Sequence, residues 1–262
     1  DIHRGRYPDT KTLHLIDSME YQQPADFYMT DAITDHALGF LQKGMSTSQP
    51  FFLYLSYTAP HWPMHAWQED IDKYRGKYLK GWDVLRQERI EKMISLGLLS
   101  SSLPDVYRDQ TVPPWDSLTD AQKDKMDLLM AIYAAIIDRM DQGIGRVLNF
   151  LAVTGELNNT LIFFLSDNGA CAEWDVLGTD VWGNFQDSNV RPGSGDTFHT
   201  CGRAWAQIGN VPFRMYKKYT HEGGMSTPLI VHWPDGVKNK GSVTDHPGHI
   251  IDIMPTFCEL AG

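Results

Sequence analysis

The apolar and polar residues along this chain predict short core strands that alternate with longer helices. The most compact apolar run is residues 161–165, Leu-Ile-Phe-Phe-Leu, which stands between two asparagines and an Asn-Gly pair. Five successive apolar residues bounded by turn residues are typical of a strand that is buried on both faces. Residues 51–55 and 229–233 form two similar runs, so we expect three core strands.

Helical periodicity separates these strands. Apolar residues spaced three and four apart predict helices over residues 30–44 and 81–96. Thr119-Asp120-Ala121-Gln122 has the form of a capping box and opens a long helix toward Leu151. The last apolar run, residues 250–260, is helix-like and is broken at Pro255. Helices that alternate with strands predict an α/β fold with a mostly parallel sheet.

A carboxylate and a carboxamide follow the strand at residues 161–165. Asp167 and Asn168 come directly after it, within Ser-Asp-Asn-Gly. In an open α/β sheet, ligands bind outside the carboxyl ends of the strands. Hard oxygens of this kind suit Ca²⁺ or Mg²⁺ better than zinc. The alternative interpretation is an ordinary turn, because Asn and Gly tolerate a positive φ.

A histidine follows the strand candidate at residues 51–55. Pro60 and Pro63 restrict the backbone around His61. A histidine held on a stiff loop beyond a strand end suits a proton donor or a partner for an oxygen ligand. In the alternative interpretation, His61 and its neighbour Trp62 simply pack under the loop. We expect His65 to be an outer, solvated residue.

Two lysines precede the third strand candidate. Lys217 and Lys218 come shortly before His-Glu-Gly-Gly at residues 221–224. Cations beside a glycine turn can bind an anion, and the alternative is that both are surface charges. Residues 170–215 are rich in Gly, Asp, Asn and Trp and show little periodicity. We expect a long loop here that shapes a substrate pocket.

Composition narrows the class of protein. The 262 residues are 42% hydrophobic and can bury the core of one large domain or two small ones. The net charge of −10 argues against a nucleic-acid partner. Cys171, Cys201 and Cys258 match no zinc pattern and allow at most one disulfide. No apolar run has the length of a membrane span, and the first residues do not resemble a signal peptide.

Five motifs in order resemble one known family, the type I sulfatases and especially the bacterial arylsulfatases. The resemblance covers nearly the whole chain, and although each motif is weak alone, their order makes the match specific. The motifs are Phe-Phe-Leu-Tyr-Leu at residues 51–55 with Ala-Pro-His-Trp-Pro at 59–63, Ala-Ala-Ile-Ile-Asp-Arg-Met-Asp at 134–141, Ser-Asp-Asn-Gly at 166–169, Lys217 with the following His-Glu-Gly-Gly and Thr-Pro-Leu-Ile, and Asp-Ile-Met-Pro-Thr at 252–256.

The resemblance implies an alkaline-phosphatase-like α/β/α sandwich that hydrolyses small-molecule or saccharide sulfate esters. Asp167 and Asn168 would be ligands of a Ca²⁺ ion, with Mg²⁺ as the alternative, that binds the sulfate oxygens. Lys217 would hold the sulfate and stabilise the leaving oxygen. His61 would bind the sulfate or the leaving oxygen and help to protonate it. These roles suit the charge that develops in sulfuryl transfer.

The family's nucleophile is missing from these residues. It is a formylglycine made from the Cys or Ser of a Cys/Ser-x-Pro-x-Arg motif, and no such motif occurs in the chain. The expected three strands are also fewer than the roughly five or six of an average sheet. We therefore expect residues 1–262 to be a partial sulfatase domain that lacks the N-terminal part and the small C-terminal subdomain. Its sheet edge and apolar surface would let the isolated chain self-associate.

Other functions remain compatible with these residues. The same superfamily includes hydrolases of phosphate and phosphonate esters, and a chain without a nucleophile can instead be catalytically silent, with a binding or assembly role.

The resemblance implies a periplasmic or secreted location. Asn158-Asn159-Thr160 fits a glycosylation acceptor.

Overall fold

The described residues form mostly helices, together with two small two-stranded sheets. The structure, a computed structural model, describes residues 14–47, 49–101, 107–181, 183 and 189–262. No helix in these ranges is long and apolar enough to cross a membrane. The strands are β1 (Leu15–Ile16), β2 (Met19–Glu20), β3 (Ile162–Leu165) and β4 (Leu229–His232). The helices are α1 (Met29–Met45), α2 (Gln68–Asp72), α3 (Gly81–Ser95), α4 (Asp120–Val153), α5 (Gly202–Gly209), α6 (Glu222–Met225) and α7 (Ile253–Ala261), with 3₁₀ turns at Trp115–Ser117 and Ile250–Asp252.

Helix α4 carries the main core, and it begins where the sequence predicted. The Gln122 N–H donates to Thr119 Oγ1 at 3.3 Å, and the Thr119 N–H donates to Gln122 Oε1 at 2.9 Å. A cap of this kind stabilises a helix by about 1 kcal/mol. Leu129, Ile132 and Ile136 on the inner face of α4 are fully buried. The helices predicted over residues 30–44 and 81–96 are confirmed as α1 and α3.

Three buried tryptophans fix the neighbouring elements on α4. Trp82 of α3, Trp115 of the first 3₁₀ turn and Trp205 of α5 have ring centroids 4.8 to 6.0 Å apart. The Trp205 Nε1–H donates to the Met126 carbonyl at 2.9 Å, and the Trp82 Nε1–H donates to the Pro113 carbonyl at 3.0 Å. The three rings therefore bury a large apolar area, and the indole N–H groups of Trp82 and Trp205 have acceptors inside the core.

Strands β3 and β4 pair in an antiparallel sense, whereas the sequence predicted mostly parallel strands. Leu165 lies opposite Leu229 and Ile162 opposite His232, so β4 begins at the edge where β3 ends. The other strand pair in the described ranges, β1 with β2, is also antiparallel. The chain between β3 and β4 leaves and returns at one edge, while a parallel pair would need a crossover to the opposite edge.

Residues 51–55 do not form a strand, contrary to the prediction. Among the described residues they have no strand partner to satisfy their backbone N–H and C=O groups. Their side chains still point alternately to solvent and to the core. Phe52 and Tyr54 are 69% and 80% exposed. Leu53 and Leu55 point the other way and pack against the apolar cluster between α1 and α4. The apolar run predicted the extended backbone, but not the absence of a partner.

Helices lie on both sides of β3. Ile162 packs on a cluster formed by α1 and α4, and the ring of Phe163 lies 5.1 Å from Phe257 of α7. This layering agrees with the predicted α/β/α arrangement. The cover is incomplete, since Phe164 is 45% exposed and Ile230 of β4 is 60% exposed. The prediction that β3 is buried on both faces is therefore wrong at Phe164.

Two further local predictions were wrong. Helix α7 runs through Pro255, which lies in its first turn, where a backbone N–H has no intrahelical acceptor and its loss costs little. Helix α5 lies inside the stretch predicted as a loop, where Ala204, Trp205 and Ile208 form a buried face. The helix is short and has glycine at both ends, so its periodicity is hard to see in the sequence. All three cysteines are free thiols.

Candidate active site

The Asp167-Asn168 turn lies at the end of β3 and is held by side chains on both sides. Thr227, just before β4, donates from Oγ1 to the Ser166 carbonyl at 2.7 Å. Ser166 donates from Oγ to the Asn168 carbonyl at 2.9 Å. Asp167 is exposed and Asn168 is half-buried. The turn therefore presents a carboxylate and a carboxamide at the carboxyl end of the strand, as the sequence predicted.

The turn is in direct backbone contact with the His-Glu-Gly-Gly segment. The Gly169 N–H donates to the Gly224 carbonyl at 3.2 Å. A Cβ added at Gly169 would overlap the Gly223 carbonyl oxygen, and one added at Gly223 would overlap the Met215 carbonyl oxygen. Three backbone segments are thus packed at a distance that only glycine permits.

A buried asparagine, which no sequence motif indicated, joins the same segments. Asn210, at the end of α5, accepts from the Ala170 N–H and donates to the Met215 carbonyl, both at 2.8 Å. The Lys217 N–H donates to the Ala170 carbonyl at 3.1 Å. These bonds fix the backbone of Lys217 against the Asp167-Asn168 turn. The only signal in the sequence was an asparagine before a Val-Pro pair, which reads as an ordinary turn.

His61 and Lys217 meet at this point. Lys217 Nζ lies 3.0 Å from His61 Nε2, although the two residues are 156 positions apart. His61 Nδ1 lies 2.6 Å from the Trp62 carbonyl, which can only accept, so Nδ1 carries the ring proton. Nε2 then accepts from the Lys217 ammonium. Partial burial of the ring lowers the pKa of His61 and the charge of Lys217 adds to this, while the hydrogen bond to the Trp62 carbonyl opposes it, and the lowered pKa agrees with a neutral ring.

The backbone on either side of Lys217 adopts a conformation that side chains seldom take. Met215 has a φ of 65° and Lys218 a φ of 78°. Such left-handed residues cost on the order of 1 kcal/mol each and cluster at functional sites. The Lys218 ammonium forms an ion pair with Glu173, which fixes the outer side of this segment. Lys217 and Lys218 therefore point to different partners.

Trp62 forms the wall of the site next to His61. Its ring centroid lies 4.7 Å from that of His61 and 5.5 Å from that of Trp174. Its Nε1–H donates to Cys171 Sγ at 3.1 Å. Burial raises the pKa of the Cys171 thiol, and it raises the pKa of Cys201 to about 12. Both thiols stay protonated near neutral pH and are poor nucleophiles.

His65 lies apart from this pair and is not the solvated residue that the sequence predicted. It is 2% exposed, and its Nε2–H donates to the Thr197 carbonyl at 2.7 Å. The Met64 and Ala66 N–H groups donate to the carbonyls of His199 and Gly193, so the backbone itself draws this segment under the later loop. Long-range backbone pairing of this kind leaves no mark on local periodicity.

The side-chain oxygens of Asp167 and Asn168 are suitable ligands for a hard cation, but they are too few to complete its coordination. Ca²⁺ takes about six to eight oxygen ligands, and the two side chains supply only a fraction of these. Within the described ranges, no group of three or more His, Cys, Asp and Glu residues could hold a metal ion. A complete metal site would need further ligands.

A polar depression of about 330 Å³ lies elsewhere, between α1 and α4. Arg139 donates to both carboxylate oxygens of Asp31 at 2.7 and 2.8 Å, and Arg146 donates to Asp35 at 2.6 Å. Each arginine of the depression is thus neutralised by a carboxylate. The motif at residues 134–141 contributes Arg139, which joins α4 to α1 through Asp31.

Comparison with known proteins shows which family this chain resembles. The sulfatase family model matches residues 6–262. An uncharacterised sulfatase of Schizosaccharomyces pombe is 35% identical over 254 residues, which are 95% of this chain and 46% of the relative. The arylsulfatase of Klebsiella aerogenes is 31% identical over 257 residues, which are 96% of this chain and 54% of the relative. The chain thus spans about half the length of these relatives.

The fold agrees as well. The structure is similar to that of Ps i-CgsB in complex with k-i-k-neocarrahexaose, with a TM-score of 0.56 at 24% identity, over 94% of this chain and 36% of that one. This likeness confirms the predicted sulfatase-like α/β fold. Members of the family typically use a metal ion. Because the family model covers nearly the whole chain and the relatives match along its length, this chain belongs to the sulfatase family.

Proposed function

We propose that the gene product containing this chain is a sulfuric ester hydrolase of the arylsulfatase type. The observation that supports it best is the contact of 3.0 Å between Lys217 Nζ and His61 Nε2. The contact lies beside the strand end that presents Asp167, whose charge acts on His61. A cation, a neutral imidazole and hard oxygen ligands at one point are the groups that a sulfuryl transfer requires.

Lys217 would hold the sulfate group. An ammonium has three N–H donors, and His61 uses one of them, so two remain for a sulfate oxygen and the leaving oxygen. The position of the Lys217 backbone is restricted by its hydrogen bond to Ala170 and by the left-handed residues Met215 and Lys218. Such prior positioning lowers the cost of reorganisation when charge develops in the transition state.

His61 would pass a proton to the leaving oxygen. In the neutral ring Nε2 carries a lone pair, so it cannot donate until it is protonated. Uptake of a solvent proton at His61 Nε2 would produce an imidazolium with Nδ1–H still bound to the Trp62 carbonyl, while Lys217 keeps its positive charge for the sulfate. The Nε2 proton could then move to the leaving oxygen as the sulfur–oxygen bond breaks.

Calcium is the ion that we propose for Asp167 and Asn168, with Mg²⁺ as the alternative. Carboxylate and carboxamide oxygens are the ligands that both ions prefer, and Ca²⁺ accepts irregular geometry more readily. When bound, the ion would supply positive charge to the sulfate oxygens. By resemblance to the family, the nucleophile would be a formylglycine that is not among the residues of this chain.

The proposal can be tested with 4-nitrophenyl sulfate and 4-nitrophenyl phosphate as parallel substrates. We expect the gene product to hydrolyse the sulfate ester with the higher kcat/KM. Lys217→Ala should lower kcat/KM by roughly 10²- to 10³-fold, which is typical of losing one charge-stabilising donor. Lys238→Ala removes the same charge from an exposed position and serves as the matched control.

Each result bears on a different part of the proposal. Preference for the phosphate ester would replace the sulfatase assignment with the phosphatase alternative. Full activity of Lys217→Ala on the sulfate ester would remove Lys217 from the site while leaving the reaction class intact.

A further inference from the structure

An aromatic wall extends outward from the His61–Lys217 pair. Trp62 contacts the His61 ring on one side and the Trp174 ring on the other, at centroid distances of 4.7 and 5.5 Å. Trp62 is half-buried, whereas Trp174 is 43% exposed. The ring of Trp62 therefore lies between Trp174 and the His61 imidazole, and part of the Trp174 ring is exposed to solvent.

The segment that leads into Trp174 is held in place at two points. Glu173 forms an ion pair with Lys218, the residue that follows Lys217. Cys171, three residues before Trp174, accepts the Trp62 indole N–H at 3.1 Å. The indole of Trp174 is thus held at the rim of the site by its neighbours on the chain and by Trp62 itself.

We propose that Trp174 determines specificity by binding the organic ring of the sulfate ester. The inference rests on the proposed function, because it assigns the other end of the same substrate. The chemistry that fits is a ring with an apolar face, either an aryl ring or a pyranose. An exposed indole face attracts such rings by dispersion and by its quadrupole, while a flexible alkyl chain loses more freedom on binding.

The two parts of the substrate would contact different groups of the site. The sulfate oxygens would meet Lys217 and His61, which carry the charge and the hydrogen bonds of the site. The ring would meet Trp174, which offers area and no charge. A change at Trp174 should therefore alter how tightly an ester binds without altering how the site holds a free sulfate ion.

The experiment compares the substrate KM with the inhibition constant of inorganic sulfate. We expect Trp174→Ala to raise the KM for 4-nitrophenyl sulfate roughly 5- to 10-fold, with kcat changed less than about twofold, since a ring contact contributes on this scale. The inhibition constant of inorganic sulfate should stay the same. Trp174→Phe should restore most of the affinity, because it returns an aromatic face.

Controls separate ring binding from loss of folding. Phe40→Ala on α1 removes an aromatic residue of similar exposure, 46%, and should leave both constants unchanged. Thermal unfolding of Trp174→Ala checks that the variant is folded. N-acetylglucosamine 6-sulfate provides the second ring, so the ester with the larger rise in KM identifies the aryl or the pyranose preference.

The two levels of the proposal fail in different ways. If an active Trp174→Ala variant keeps the wild-type KM for both esters, the role of Trp174 is refuted and the sulfatase assignment stands. An equal rise in the inhibition constant of inorganic sulfate would also refute it, because Trp174 would then support the sulfate end. A wild-type protein that hydrolyses neither ester would overturn the proposed function and this inference together.

Discussion

Within the proposed site, Gly169 is the residue where adding a single methyl group should have the largest effect. The Gly169→Ala change would place a Cβ where the Gly223 carbonyl oxygen lies, and 3.2 Å from Asn210 Oδ1. That oxygen belongs to the backbone, which cannot rotate away as the end of a side chain can. The two segments would have to separate by about 1 Å or more to restore a normal contact distance.

That separation would lengthen or break three hydrogen bonds. The Gly169 N–H to Gly224 carbonyl bond is 3.2 Å long, the Lys217 N–H to Ala170 carbonyl bond 3.1 Å, and the Ala170 N–H to Asn210 bond 2.8 Å. Each contributes about 1 kcal/mol net, and overpacking adds a cost of similar size. We expect Gly169→Ala to lower the free energy of unfolding by about 2–4 kcal/mol. A displacement of Lys217 by about 1 Å should also lower kcat roughly 10²-fold.

Urea unfolding and steady-state kinetics of the gene product test this reasoning. Gly145→Ala makes the same chemical change in α4, where nothing lies within 4 Å of the added Cβ. Alanine is the better helix former, so this control should raise the free energy of unfolding by about 0.5–1 kcal/mol. A Gly169→Ala protein with the stability of the wild type, to within about 0.5 kcal/mol, and with unchanged kcat/KM would refute the role of the close approach.

Two other predictions concern protons and metal. Burial, assisted by the charge of Lys125 and opposed by Asp180, lowers the pKa of His199 from 6.5 to about 4, so the unfolded chain takes up this proton at a higher pH than the folded one. The free energy of unfolding should therefore fall as the pH decreases from about 6.5 toward 4, and urea unfolding of His199→Gln should show a flatter profile; an equally steep profile would assign the effect to other groups. Removal of metal with a chelator should abolish hydrolysis of 4-nitrophenyl sulfate, and Ca²⁺ should restore it better than Mg²⁺. Calorimetric titration should show at least a roughly tenfold weaker Ca²⁺ affinity for Asp167→Ala and no change for Asp245→Ala, and equal affinities would remove Asp167 from the metal site.

Much of the fold could be predicted because local rules determine it. The capping box at Thr119 and the apolar spacing of α4 depend on contacts within one or two helical turns, and both appear where the pattern indicated. The same holds for the apolar run that becomes β3. Residues 51–55 show the limit of such rules, because an apolar run becomes a strand only if another strand satisfies its backbone, and the run itself does not specify that partner.

The candidate site was predictable only in pieces. Asp167, Asn168, His61 and Lys217 each follow a recognisable motif, yet each motif also had an ordinary structural interpretation. The sequence did not indicate Asn210, whose importance comes entirely from its two backbone partners. Nor did it indicate Trp174, which is one of several aromatic residues until its contact with Trp62 is known.

The sequence by itself determined the elements of this protein and the kinds of side chain at their ends, because periodicity, caps and turns arise from neighbours along the chain. The tertiary structure alone decided that β4 runs antiparallel to β3, that His65 is buried and that His61 meets Lys217. These features depend on which distant segments can approach one another. That approach is set by packing on α4 and by glycines that let backbones touch, and neither has a period that can be read along the chain.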